Sequence, residues 1–128
     1  MKKLKIEKAS EMGLCFGVKR AISILERVAR ERGGLETLGP VVHNKQVVGE
    51  LAQLGINAVE SLNELRGDTV AITAHGVSPT VQEEIRRRKL QMIDTTCPTV
   101  RRAQIAAKTL AGAGFQVVIF GDPGHAEV

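Results

Sequence analysis

A chain of 128 residues, 43% apolar and 25% charged, is long enough for one domain with a real core and marginal for two. A formal net charge of +4 and a pI near 9.4 favour an anionic partner, but with no Trp or Tyr and three Phe the chain offers few platforms for stacked bases, which argues against nucleic acid. Two cysteines do not make a disulfide framework, no run of ~18 apolar residues is present to span a bilayer, and the opening MKKLKIEKAS lacks the apolar stretch of a secretory signal. The expectation is a cytoplasmic protein with free thiols and no membrane partner.

Leu4, Ile6 and Ala9 give a short alternating segment that reads as a strand, followed by Cys15 in a turn flanked by Gly13 and Gly17. Val18, Ala21, Ile22, Leu25, Val28 and Ala29 then recur at three- and four-residue steps, the apolar stripe of a helix that ends near Gly33-Gly34. Leu35 to Leu38 is a strand candidate broken by Gly39-Pro40 before His43. Asn44 is placed to cap a second helix carrying Val47, Val48, Leu51 and Leu54 and closing at Gly55. Ile56 to Val59 is a further strand candidate.

Thr69 to Ala74 is a β-branched run of the kind buried between helical layers, and it delivers His75 and Gly76 at its end. Ser78-Pro79 opens a helix with Val81 and Ile85 facing inward, and Arg86, Arg87 and Arg88 complement its negative end. Leu90 to Asp94 is the next strand. TTCP starts another helix, with Val100, Ala103, Ala107 and Leu110 on one face, and Phe115 to Phe120 is the last strand, running into GDPGHAEV. Strands alternating with helices predict an α/β fold of parallel βαβ units, and the finish soon after a strand looks like the front part of a longer protein.

The reactive side chains all fall at strand ends or helix starts, where open parallel sheets bind ligands. Cys97 sits at an expected N-cap with Pro98 behind it, and Cys15 precedes a helix whose first turns carry Lys19 and Arg20. Both settings favour a thiolate. A single cysteine is more often a small buried hydrophobe, but two in matching settings point to ligation. His43, His75 and His125, backed by helix starts at Asn44 and Ser78, would cradle a phosphate or diphosphate. His43 has the weakest pattern of the three. Glu127, two residues after His125, is a candidate general acid.

Cys15, His43, His75 and Cys97 also supply the atoms of a tetrahedral zinc site, as in a zinc-dependent hydrolase, but without the close ligand pairs usual in structural zinc. An iron–sulfur cluster tolerates ligands on distant loops and usually takes three or four thiolates, where this chain offers two. From another class, a non-catalytic basic α/β module that binds phosphate or nucleic acid is the competing reading.

Taken together, GLCFGVKRAISILE, VVHNKQVV, AHGVSP, DTTCPTV and GHAEV resemble, in order, the N-terminal signature of the 4-hydroxy-3-methylbut-2-enyl diphosphate reductase family. The resemblance implies a three-lobed α/β protein around a central [4Fe–4S] cluster, to which each lobe gives one cysteine and whose fourth iron is left for substrate. It implies residues 1–13 as an N-terminal strand, 14–97 as the first lobe and 98–128 as the start of the second. On the same basis Cys15 and Cys97 are cluster ligands, His43, His75 and His125 bind the diphosphate, and Glu127 delivers a proton. The implied reaction converts (E)-4-hydroxy-3-methylbut-2-enyl diphosphate, with two electrons and protons, to isopentenyl and dimethylallyl diphosphates and water. A ferredoxin or flavodoxin is the implied electron donor, and the protein is expected to be a monomer.

The chain departs from the family's usual GHPEV by carrying Ala126 in place of proline, which loosens the loop but keeps His125 and Glu127. The third cysteine and the Ser, Thr and Asn residues of the family's diphosphate pocket would lie beyond Val128. These 128 residues alone are therefore expected to be inactive.

Overall fold

The computed structural model describes residues 4–128; the beginning of the strand expected over 1–13 lies outside them. In chain order the elements are α1 (Phe16–Arg32), β1 (Leu35–Leu38), α2 (Lys45–Gln53), β2 (Ile56–Val59), a 3₁₀ turn (Leu62–Glu64), β3 (Thr69–Ile72), α3 (Pro79–Arg87), β4 (Gln91–Asp94) and α4 (Pro98–Gly112). The strands form one sheet in the order β2-β1-β3-β4, and every pairing is parallel. This is the α/β architecture that the alternating pattern predicts.

The local signals for the helices work as expected. Asn44 accepts hydrogen bonds from the N–H groups of Gln46 (2.9 Å) and Val47 (3.2 Å) at the start of α2, and Ser78 accepts from Val81 N–H (3.3 Å) at the start of α3. Each cap satisfies donors that have no partner within the helix. Gly33, at a left-handed φ of 77°, turns the chain out of α1 and donates its N–H to Ala29 C=O (2.8 Å).

Alternation along the strands sends side chains to two cores. Leu25, Val28 and Ala29 of α1 and Leu51 of α2 pack with Leu35, Ile56 and Ala71 on one face of the sheet. Val70 and Ile72 pack with Ile85 of α3 on the other. β3 is therefore buried along its whole length, which explains the near-continuous apolar run TVAI. Full burial of a side chain such as Ile72 or Ile85 stabilises the fold by roughly 1.5–3 kcal/mol. The consequence for the site is positional: β3 and β4 both release their chains at the same edge of the molecule, toward His75 and Cys97.

Two expected strands are not formed. The alternating Leu4-Ile6 segment belongs to no helix or strand, with those side chains 93% and 85% exposed. Phe115 to Phe120 is likewise outside the sheet, although its composition suits a strand. A strand is stabilised by cross-strand neighbours and a surface to cover, and neither segment has a strand partner among the described residues. α4 has no fully buried residue; of its expected apolar stripe, Val100 and Ala107 are half-buried and Ala103 and Leu110 are exposed.

Candidate functional site at the strand ends

Cys97 is delivered by the loop that follows β4. Thr95 anchors that loop, since its N–H (3.0 Å) and its hydroxyl (2.5 Å) both donate to Ile72 C=O at the end of β3. Two residues on, Cys97 N–H donates to Ala74 C=O (2.9 Å), which seats the cysteine beside the His75 turn. Its sulfur lies against α1: a Cβ built on Gly17 would stand 2.5 Å from Sγ. Glycine at 17 thus leaves the space that the thiol fills, two residues from exposed Cys15 at the N-cap of α1. Both thiols are free and both occupy helix starts around a shared edge.

The N–H groups of Thr99 and Val100, in the first turn of α4, hold the Cys97 thiol below the ordinary thiol range. Burial opposes this shift, the Thr99 hydroxyl adds to it, and the Glu127 carboxylate works against it.

The three histidines meet. The rings of His43 and His75 are 5.9 Å apart between centroids, and those of His75 and His125 are 5.6 Å apart and nearly perpendicular. His75 is central. Its Nδ1 lies 3.3 Å from Glu127 Oε1, and Glu127 N–H donates to His125 Nδ1 (3.3 Å), so the C-terminal turn folds back onto the β3 end. The remaining nitrogen, His75 Nε2, is buried without a hydrogen-bond partner among the described residues. An orphaned buried ring nitrogen costs on the order of 1–3 kcal/mol unless a bound group satisfies it. A shallow cavity of about 430 Å³ opens beside His43 and Lys45, walled by Pro40, Val42 and Val48. A second, of about 470 Å³, lies along α1 beside Arg27 and Arg30, and none of the site residues lines it.

Of the six residues singled out from sequence, the three histidines and Glu127 gather around His75, Cys97 seats on α1 at Gly17, and Cys15 stands exposed at the N-cap of that same helix. The zinc reading fares less well, because no group of three or more His, Cys, Asp or Glu side chains is placed to hold one metal ion among the described residues. The arginines at the end of α3 are also engaged internally. Arg87 and Arg88 pair with Glu84, and Arg88 also donates to Leu62 C=O (3.2 Å) and Asn63 Oδ1 (2.7 Å).

Sequence reasoning missed the residues that support the cysteine loop. Asp94 Oδ1 accepts from both the N–H (3.0 Å) and the hydroxyl (2.5 Å) of Thr96, while Asp94 Oδ2 pairs with Arg101 of α4. Thr96 C=O in turn receives a long hydrogen bond from Arg20 of α1 (3.5 Å). The one signal for this in the sequence is an Asp two residues before a Thr, a spacing at which a carboxylate can bond the backbone locally.

Comparison with known proteins gives the chain a family. The LytB protein family model matches residues 6–128. A 4-hydroxy-3-methylbut-2-enyl diphosphate reductase of Dehalococcoides mccartyi (strain CBDB1) is 53% identical over 125 residues, and that of Geotalea uraniireducens (strain Rf4) is 39% identical over 125 residues. Both alignments take in 98% of this chain, which spans only 44% of the length of those curated relatives. Among solved structures, one of (E)-4-hydroxy-3-methyl-but-2-enyl diphosphate reductase, the terminal enzyme of the non-mevalonate pathway, superposes on 90% of this chain and 41% of its own, with a TM-score of 0.79 and 40% identity. The corresponding reductase from Plasmodium falciparum covers 92% of this chain and 38% of its own, with a TM-score of 0.88 and 29% identity. On the extent of the family match and on the folded arrangement of its motifs, this chain belongs to the LytB protein family.

Proposed function

We propose that this chain carries the thiol-and-histidine half of a 4-hydroxy-3-methylbut-2-enyl diphosphate reductase site, with residues 14–97 as its first lobe and 98–128 as the start of a second. The observation that carries the reading is the convergence of three histidine rings on a buried, unpartnered His75 Nε2 beside a half-buried cysteine of lowered pKa. A dry nitrogen with no partner is a position prepared for a ligand atom, and a diphosphate oxygen supplies the charge that a basic chain attracts. His43, His75 and His125 bind and orient that diphosphate, which fixes the rest of the substrate relative to the thiols. Glu127, already in contact with His75, holds the proton that the departing hydroxyl takes as water.

The donor set fits part of an iron–sulfur cluster. Cys15 and Cys97 lie at helix starts around one edge, glycine at 17 leaves room for sulfur, and the lowered pKa of Cys97 favours the thiolate that iron requires. When bound, a [4Fe–4S] cluster supplies the two electrons singly, together with a Lewis-acidic iron. Two thiolates fall short of the three or four that such a cluster usually takes, so the 128 residues alone neither hold it stably nor turn over. The electron donor in this reading is a ferredoxin or flavodoxin, and the protein is cytoplasmic and monomeric. Among the described residues no helix is long and apolar enough to cross a membrane.

The test is a chimera in which this chain replaces the matched 125 residues of the Dehalococcoides mccartyi relative. After anaerobic loading with iron and sulfide it should be coloured and reduce the diphosphate, and Cys15→Ala or Cys97→Ala should abolish both. A chimera that keeps its colour and activity after either substitution would contradict the reading. So would the unfused chain, if it formed a stoichiometric cubane and turned over.

A further inference from the structure

The loop from Asp94 to Cys97 makes more connections than a chain reversal needs. Thr96, only 7% exposed, touches three elements. Its hydroxyl and N–H both bond Asp94 at the end of β4, its C=O receives Arg20 of α1, and its γ-methyl lies 3.0 Å from where a Cβ on Gly76 would stand. Gly76, at a φ of +73°, follows His75 directly, and Gln104 Nε2 of α4 closes on the same point at 2.8 Å. Arg101, one turn into α4, braces the other oxygen of Asp94. One threonine therefore links the element that carries Cys15, the turn that carries His75 and the loop that carries Cys97.

We propose that Thr96, held by Asp94, is a positioning residue that fixes the Cys97 sulfur against the first turn of α1 and sets the His75–Gly76 turn in register with it. This rests on the reading of Cys15 and Cys97 as a pair that works on one bound group. Asp94 acts by accepting the two Thr96 hydrogen bonds; Arg101 limits the rotation of the carboxylate. Loss of the acceptor frees Thr96 to turn, and the sulfur moves off Gly17 while Thr95 still holds the loop to β3.

The experiment uses the 128-residue chain and dibromobimane, which becomes fluorescent when both of its arms alkylate thiols. The unsubstituted chain should be bridged between Cys15 and Cys97. Asp94→Ala should lower the bridging yield about five-fold, the scale of a lost internal hydrogen bond, while Asp94→Asn, which keeps the acceptor oxygen, should restore it to within about two-fold. Urea unfolding of the same variants separates a local movement of the thiol from a general loss of stability. Thr96→Val keeps the γ-methyl and removes the hydroxyl, and should fall between the two; it also serves if Asp94→Ala does not fold. Normal bridging in Asp94→Ala or in Thr96→Val, or Asp94→Asn as impaired as the alanine variant, would overturn the positioning role and leave the proposed function standing. Absence of bridging in the unsubstituted chain would overturn both this role and the thiol pairing beneath it.

Discussion

Two apolar runs of similar composition meet opposite fates in this protein. TVAI at 69–72 is buried on both faces between helical layers, whereas FQVVIF at 115–120 lies outside the sheet, with Val118 83% exposed and Phe120 fully so. Both are rich in the residues that favour strands, so intrinsic preference does not separate them. What separates them is a neighbour. β3 has β1 and β4 on its two sides, α3 on one face and the α1 core on the other, while the later segment has no strand beside it among the described residues. β-propensity measures how well a side chain fits a surface that already exists.

The contrast should appear first as a difference in stability. Ile72→Ala, at a residue 1% exposed, is expected to cost about 2–5 kcal/mol in urea unfolding, and Phe120→Ala to stay within about 0.5 kcal/mol of the unsubstituted chain. Equal costs at the two positions would mean that 115–120 packs in solution as β3 does. Gly17→Ala probes the seam between the site and the buried region. The added methyl meets the Cys97 sulfur at 2.5 Å, so overpacking should cost about 1–3 kcal/mol and displace the thiol. Unchanged stability together with normal dibromobimane bridging would contradict the close seating of Cys97 on α1.

Smaller effects sharpen the same comparison. Thr95→Val removes a fully buried hydroxyl from Ile72 C=O and should cost about 1 kcal/mol, as should loss of the α2 cap in Asn44→Ala. The smallest effect concerns pH. Because the folded-state pKa of Cys97 lies below its value in the unfolded chain, its thiolate adds stability above the unfolded pKa, and that contribution is lost as the pH falls through the folded pKa. In a Cys15→Ser background, iodoacetamide should therefore alkylate Cys97 with an inflection at lower pH in the folded chain than in urea. Coincident inflections would remove the helix start as the cause.

What was legible in the sequence was what depends on near neighbours. The α1 stripe, the Asn44 and Ser78 caps and the β3 run are each written within a few residues, and each folds as read. The meeting of His43, His75 and Cys97 was also legible, because a parallel sheet brings its strand ends to one edge whatever the separation along the chain, whereas His125 and Glu127 reach His75 without the strand expected to deliver them. The failures at Leu4–Ile6 and at 115–120 have the opposite character, since pairing depends on what lies alongside. The support of Cys97 was hidden for a related reason: the Asp94–Arg101 pair exists only once the loop has turned into α4, and the Thr96–Gly76 contact joins two loops.

The central claim is that three histidines form one anion centre around His75, and NMR of the ring nitrogens during titration with inorganic pyrophosphate addresses it directly. His43, His75 and His125 should shift together along a single isotherm, with the largest change at His75 Nε2. Movement of one ring alone, or an affinity unaltered by His75→Phe, would contradict it.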